Sequence, residues 1–311
     1  MDSEVDVIGV GGAGGFLASS LYRGGIRPRI ISRGAALRQL REIGLTIISD
    51  EKRSIYFPVN CSALDDVQQF APILFLTTKS YDIPALIEEI ASRIAPETLV
   101  IAVQNGFAAY DTLCSAIGPE QAVMGVLYVG AHIVSPAVID LRPGIAQLFL
   151  PITHRLALTP LVDSLEAAGV EAALVDDIER RMWMKQLFLV PFAIINAEMH
   201  QPIGKICEDE HARQQWGKIA TEIAYIAQAC GIPMPTDPAA ASLAVAERFD
   251  PQADSSFARD IWVNRPHEAE ALFGPLLSRA SKRQVVCPLL QQAFDVYVNR
   301  PLPDSWPSRP A

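Results

Sequence analysis

The chain has 311 residues, half of them hydrophobic and a fifth charged, which is long enough for two ordinary domains or one large one and excludes a disordered protein. Its formal charge of -9 argues against a surface built to neutralise nucleic-acid phosphates. Five scattered cysteines (Cys61, Cys114, Cys207, Cys230 and Cys287), without a CxxC pair, fit reduced thiols rather than a disulfide framework or a zinc site.

The chain enters directly into a strand pattern, with no basic segment followed by an apolar run and a cleavage site. The most apolar stretch, Leu187 to Ile195, is too short to span a bilayer and contains Pro191. A cytoplasmic protein without membrane or nucleic-acid partners is expected. Val5 to Val10 reads as a buried strand and Ala13 to Tyr22 as a helix; Arg29 to Ser32 is a second strand, Ala35 to Glu42 a helix, and Leu45 to Ile48 a third strand, with Ile55 to Val59 beside it. Ile73 to Thr77, a helix from Ile83 to Ile94, and Leu99 to Val103 continue the alternation. Strands alternating with helices predict parallel βαβ units in a doubly wound α/β sheet. After about Val175 strand signals nearly vanish, and long helical patterns run over Asp176 to Met199, Glu210 to Cys230 and within Phe257 to Ser281. The expected organisation is a Rossmann domain over 1–175 and a helical substrate and catalytic domain over 176–311, with the active site in the cleft between them. The proline-rich end, Pro301 to Ala311, is expected to be loosely held.

Gly9-Val10-Gly11-Gly12-Ala13-Gly14 fits GxGxxG between the first strand and the first helix. There the first glycine permits a tight turn, the second lets backbone approach a pyrophosphate, and the third lets helix pack on strand. The helix N-terminus adds amides and a positive dipole end. The second strand ends in Ser32 and Arg33, where an NAD-preferring site would carry an acid. A hydroxyl and a cation suit a 2′-phosphate, so NADP is the expected cofactor.

Further pieces follow in order: Thr77-Thr78-Lys79-Ser80-Tyr81, Gln104-Asn105-Gly106, Arg180-Arg181-Met182-Trp183-Met184-Lys185, Ser255-Ser256-Phe257, Asp260, Arg265-Pro266-His267-Glu268 and Gly274. With the glycine turn and Arg33 they resemble the ketopantoate reductase (2-dehydropantoate 2-reductase) family over nearly the whole chain. The resemblance implies a Rossmann domain followed by a helical domain, as in 6-phosphogluconate-dehydrogenase-like folds, and hydride transfer from NADPH to a 2-oxo group. It implies that Lys185 protonates that oxygen, that Glu268 orients the centre, and that Ser256 holds the substrate carboxylate. Asn105 would lie beside the nicotinamide and Lys79 near the cofactor phosphate. Read from the residues alone, Lys185 is better taken as a snorkelling helix lysine, and Glu268, after Pro266, also suits a helix cap.

The pattern breaks at Leu189 and Ala193, one and two turns after Lys185, where the family carries asparagines. Asn196 is the nearest amide and is expected to bind substrate only if Pro191 distorts the helix. A small hydroxylated oxo acid would lose polar partners there, at about 1–3 kcal/mol per unpaired hydroxyl. A bulkier or more apolar carbonyl substrate is expected. The alternatives are reduction of a different carbonyl or imine in a secondary pathway, an opine-dehydrogenase-like activity, or a non-catalytic NADPH sensor. The apolar helical half makes self-association into a homodimer an expectation, and no metal is expected.

Overall fold

The computed structural model describes residues 4–48 and 54–298. The expectation for Pro301 to Ala311 lies outside the described residues. Contacts divide the chain into two compact units, Met1–Arg181 and Met182–Ala311.

The first unit contains β1 (Val5–Ile8), α1 (Gly12–Arg23), β2 (Arg29–Ile31), α2 (Gly34–Glu42), β3 (Leu45–Ile48), β4 (Ser54–Phe57), β5 (Asn60–Ser62) and β6 (Ile73–Leu76). Then come α3 (Ile83–Ile90), β7 (Leu99–Ala102), α4 (Ala108–Ile117), β8 (Ala122–Met124), β9 (Val126–Ser135), β10 (Val138–Pro151), α5 (Arg155–Ala167) and β11 (Glu171–Val175). Six strands form a parallel sheet in the order β5-β2-β1-β6-β7-β8, a doubly wound dinucleotide-binding arrangement. Strands β1, β6, β7 and β8 are near-continuous buried runs because both faces are covered, whereas edge strand β5 (Asn-Cys-Ser) is polar. Val5 and Val7 pack on one face with Phe16, Leu17 and Leu21 of α1 and Leu158, Leu161 and Leu165 of α5. Ile8, Leu74 and Leu76 pack on the other with Ile83, Ile87 and Ile90 of α3 and Leu113 of α4. The apolar run of β1 is broken only by Asp6, which is fully buried towards the end of the strand opposite the glycine turn. Its carboxylate accepts two hydrogen bonds from Arg29, at 2.8 and 2.7 Å, and one from the Ala71 amide at 2.8 Å.

One expectation is corrected. Leu45 to Ile48 does not join the parallel sheet, where β5 takes the place beside β2; β3 lies in a second, five-stranded mixed sheet in the order β11-β10-β3-β4, with β9 antiparallel to β10. No individual strand is expected from sequence between residues 104 and 175, where β8 to β11 lie and β10 runs through Arg142-Pro143-Gly144. In the structure that segment is absorbed as a register shift between Leu141 and Ala146 within a single 14-residue strand, with Gly144 at φ 116°. Helix α1 packs against this second sheet as well, and a Cβ on Gly15 would overlap Ile139 of β10.

The division between units falls inside α6 (Ile178–Met199), after Arg181. The first turn of α6 is tied to the first unit. Arg181 Nε donates to Asp177 at 2.7 Å, and its guanidinium lies 4.2 Å from the Phe149 ring centroid.

The second unit holds the rest of α6 with α7 (Ile203–Glu208), α8 (Glu210–Ala229), α9 (Pro238–Ala246), α10 (Ser256–Trp262), α11 (Ala269–Lys282) and α12 (Pro288–Val298). From Met182 to Ala197 nearly every side chain of α6 is buried, so the helix forms a central element. Phe188 and Phe192 stack near Trp216 of α8, and Phe249 lies 5.0 Å from Phe188. Pro191 has no amide hydrogen, which leaves the Leu187 carbonyl without its helical donor. Ser242 Oγ donates to that carbonyl at 2.7 Å and accepts from Trp216 Nε1 at 2.6 Å, so all three buried groups are satisfied. Among the described residues no helix is long and apolar enough to cross a membrane.

Candidate active site

In the first unit the candidate site is the carboxyl edge of β1, β2, β6 and β7. Gly9 follows β1 at φ 97°, a conformation that favours glycine, and its amide donates to Ile31 O at 2.9 Å. A Cβ at Gly14 would overlap the Gly9 carbonyl and Thr77 Oγ1, while one at Gly12 would lie 2.7 Å from Ala131 O of β9. Gly11 differs: its nearest neighbour would be Ile133 Cδ1 at 3.8 Å, so its missing side chain keeps an approach open rather than allowing packing. Gly11 is the N-cap of α1 without a side-chain cap, no acid lies in the first turn, and Ala13 is half-buried there. The first-turn amides of Gly12, Ala13 and Gly14 therefore present a positive end with no carboxylate competing for it.

Around this turn the strand ends supply polar groups. Ser32 is half-buried, and Arg33, the N-cap of α2, is exposed and makes no ion pair among the described residues. Lys79 is half-buried on extended backbone after β6, and Asn105 is half-buried after β7. Gln104 joins the two loops by donating from Nε2 to Leu76 O at 2.9 Å and Thr78 O at 3.1 Å. Thr77 Oγ1 donates to Ile8 O at 2.9 Å and lies 3.0 Å from Gly9 O. Two buried atoms here, Thr78 Oγ1 and Gln104 Oε1, have no hydrogen-bond partner among the described residues. Orphaned polar atoms beside an uncapped helix start and a glycine turn suit a polar anionic ligand, so these residues fit a dinucleotide. Thr77, Thr78 and Gln104 enter the site as loop-setting groups; the sequence signal for them was their place in the motif, not a functional role.

In the second unit the centre is Lys185 on α6, only 4% exposed. Burial lowers its pKa to about 7, and the nearby Glu268 carboxylate acts in the opposite direction. Glu268 is buried at the N-cap position of α11 but makes no capping hydrogen bond. The first turn is served instead by His267, whose Nδ1 accepts from the Ala269 amide at 3.4 Å. Of the two readings open from sequence, the cap is therefore not the one Glu268 fills, and the snorkelling reading of Lys185 is inconsistent with its burial. The structure brings these two residues together.

Ser256 is the first residue of α10, half-exposed, with a hydroxyl that makes no hydrogen bond among the described residues. Leu189, one turn after Lys185, is half-buried, and Ala193 is fully buried. Asn196 requires a correction. At about 100° per residue it lies within roughly 20° of Lys185 around the helix without any distortion at Pro191. Its amide is nonetheless closed to substrate, because it is fully buried and its hydrogen bonds go to Gln201, Asp254 and Ser255. Ser242 and Trp216, which satisfy the break at Pro191, were not legible as site-supporting residues; the proline itself was the available signal.

The sequence matches ketopantoate reductase PanE/ApbA over residues 5–150 and the C-terminal region of ketopantoate reductase PanE/ApbA over 177–298. It is 26% identical over 294 residues to an uncharacterized oxidoreductase, YkpB, of Bacillus subtilis, covering 93% of this chain and 95% of that one. Among solved structures it is similar to a 2-dehydropantoate 2-reductase from Geobacter metallireducens, with TM-score 0.85, 20% identity, and 94% and 98% of the two chains covered. It is also similar to a D-mandelate dehydrogenase solved with NADH and anilino(oxo)acetate, with TM-score 0.84, 20% identity, and 94% and 96% covered. These structures share the fold. With both halves of the chain matched, the protein belongs to the ketopantoate reductase family of NAD(P)-dependent oxidoreductases.

Proposed function

We propose that the chain is an NADPH-dependent reductase of a 2-oxo acid or related ketone, with residues 1–175 holding the dinucleotide and 176–311 supplying the substrate side. The observation that carries this reading is Lys185, buried, with a pKa lowered to about 7 and facing Glu268. A nicotinamide dinucleotide, when bound, supplies the hydride. Gly9, Gly11, Gly12, Ala13 and Gly14 would take its pyrophosphate at the start of α1, Ser32 and Arg33 a 2′-phosphate, and Lys79 and Asn105 the groups beside them. Lys185 donates its Nζ proton to the carbonyl oxygen as negative charge develops there, and in a dry site an ammonium stabilises that charge strongly. Glu268 keeps a fraction of Lys185 protonated near neutral pH and orients the ammonium. The Ser256 hydroxyl holds the substrate carboxylate.

Half-buried Leu189, together with the absence of an amide at the fully buried Ala193 position, favours a substrate whose side chain is apolar over a small hydroxylated one. The similar D-mandelate dehydrogenase, solved with the aryl compound anilino(oxo)acetate, supports this second reading of the substrate. A sensor without catalysis would have no use for a buried proton donor. The test is turnover of NADPH with ketopantoate, phenylglyoxylate and other 2-oxo acids, followed at the nicotinamide absorbance. Reduction of at least one, abolished in Lys185→Ala, is expected; NADPH binding with no turnover across the panel would favour the sensor.

A further inference from the structure

Asn196 has no hydrogen-bonding capacity left for a ligand. Its Nδ2 donates to Gln201 O at 2.8 Å and to Asp254 Oδ1 at 3.0 Å. Its Oδ1 accepts from the Ser255 amide at 2.8 Å and from Ser255 Oγ at 3.0 Å. Both donors and both lone pairs are used, so any part the residue plays must pass through what it holds. What it holds is the residue before Ser256. Ser255 Oγ also accepts from the Ala258 amide at 3.0 Å, capping α10. The residue after Ser256 is anchored too, for Phe257 packs edge-on against His267, Phe273 and Tyr297 at 5.7, 5.6 and 5.1 Å between centroids. Ser256 is the half-exposed residue between two buried, fixed ones.

We propose that Asn196 is a positioning residue for Ser256: its saturated amide ties the end of α6 to the 254–255 segment and so fixes where the Ser256 hydroxyl is presented to a substrate carboxylate. This rests on the reading of Ser256 given above. A hydroxyl held between two anchors aligns a carboxylate without losing its own freedom on binding, and small misplacements of such groups are costly. The contribution is made equally in the ground state and the transition state, so it belongs in KM rather than kcat.

The test compares Asn196→Ala, Ser256→Ala and the double variant in the full chain, using NADPH with whichever of ketopantoate or phenylglyoxylate the wild type reduces. Each single change is expected to raise KM about tenfold or more, with kcat, its pH profile and NADPH affinity nearly unchanged. The double variant is expected to raise KM no further than the larger single effect. Effects on KM that multiply, or an Asn196→Ala loss confined to stability, would overturn the proposal and leave the Ser256 reading intact. An unchanged KM in Ser256→Ala, or no reduction of either acid by the wild type, overturns that reading and this proposal with it. If Asn196→Ala does not fold, Ser255→Ala removes one of the four bonds. It should raise KM less, again without adding to Ser256→Ala, and additivity there overturns the proposal.

Discussion

In the first unit the candidate site is an edge of backbone. Gly9, Gly12 and Gly14 are there because a Cβ would be strained or would strike Thr77, Ala131 or the Gly9 carbonyl, and the helix start is left uncapped. In the second unit the site is built from side chains taken out of water: Lys185 on α6, Glu268 at the start of α11, and an amide, Asn196, spent wholly on the chain itself. The first kind of site needs small residues at short fixed spacings. The second needs helices far apart in sequence to converge, and it depends on burial for its chemistry. Shape therefore governs one and electrostatics the other.

The most direct way to break that contrast is to remove the ammonium. Lys185→Ala is expected to lower kcat by about 10²–10⁴-fold, the range for a lost general acid, with NADPH affinity measured by fluorescence titration nearly unchanged. A parallel loss of NADPH binding would mean that the two sites are not separable in this way. The pH dependence sharpens the same point. The protonated lysine is the acid, so reduction should hold steady below about 7 and fall as pH rises through it, while oxidation of the corresponding alcohol should rise over the same range. Glu268 raises the Lys185 pKa, so Glu268→Gln should move the fall in reduction to lower pH. A shift the other way would show that Glu268 does not act on Lys185. The same burial has a sign in stability. Between about 7 and 10.5 the unfolded chain binds the lysine proton more readily than the folded one, so this group's contribution to stability rises with pH across that window. Lys185→Met should abolish that component of the pH dependence of thermal unfolding.

For the backbone site, Gly14→Ala and Gly11→Ala form a matched pair. The first forces overlap with Gly9 and Thr77 and should cost about 1–3 kcal/mol in thermal or chemical unfolding, with loss of NADPH binding. The second has room and should leave stability nearly intact while weakening NADPH binding. Equal destabilisation by both would remove the distinction between packing and approach. A smaller effect, about tenfold, is expected in the ratio of NADPH to NADH affinity for Arg33→Ala, through NADPH alone. The smallest expected effect on activity comes from a change whose cost is structural. Ser242→Ala leaves the Leu187 carbonyl and Trp216 Nε1 without partners and should cost about 1–3 kcal/mol in unfolding, with only a minor change in kcat.

Much was legible along the chain. The βα alternation, the glycine turn and the switch to helical periodicity after Val175 are local patterns, and local patterns follow from covalent geometry and from the alternation of apolar residues. They determined the parallel sheet, the helical second half, and the glycine positions whose geometry the structure explains. Tertiary structure alone decided the rest. It put β3 in a second sheet, because strand partners are chosen by long-range packing rather than by order in the chain. It turned Arg142-Pro143-Gly144 into the middle of a strand. It buried Lys185 against Glu268, 83 residues further along, and so lowered a pKa that no sequence pattern encodes. It also closed Asn196 to ligands, since hydrogen bonds to Asp254 and Ser255 exist only once α6 and the start of α10 are brought together.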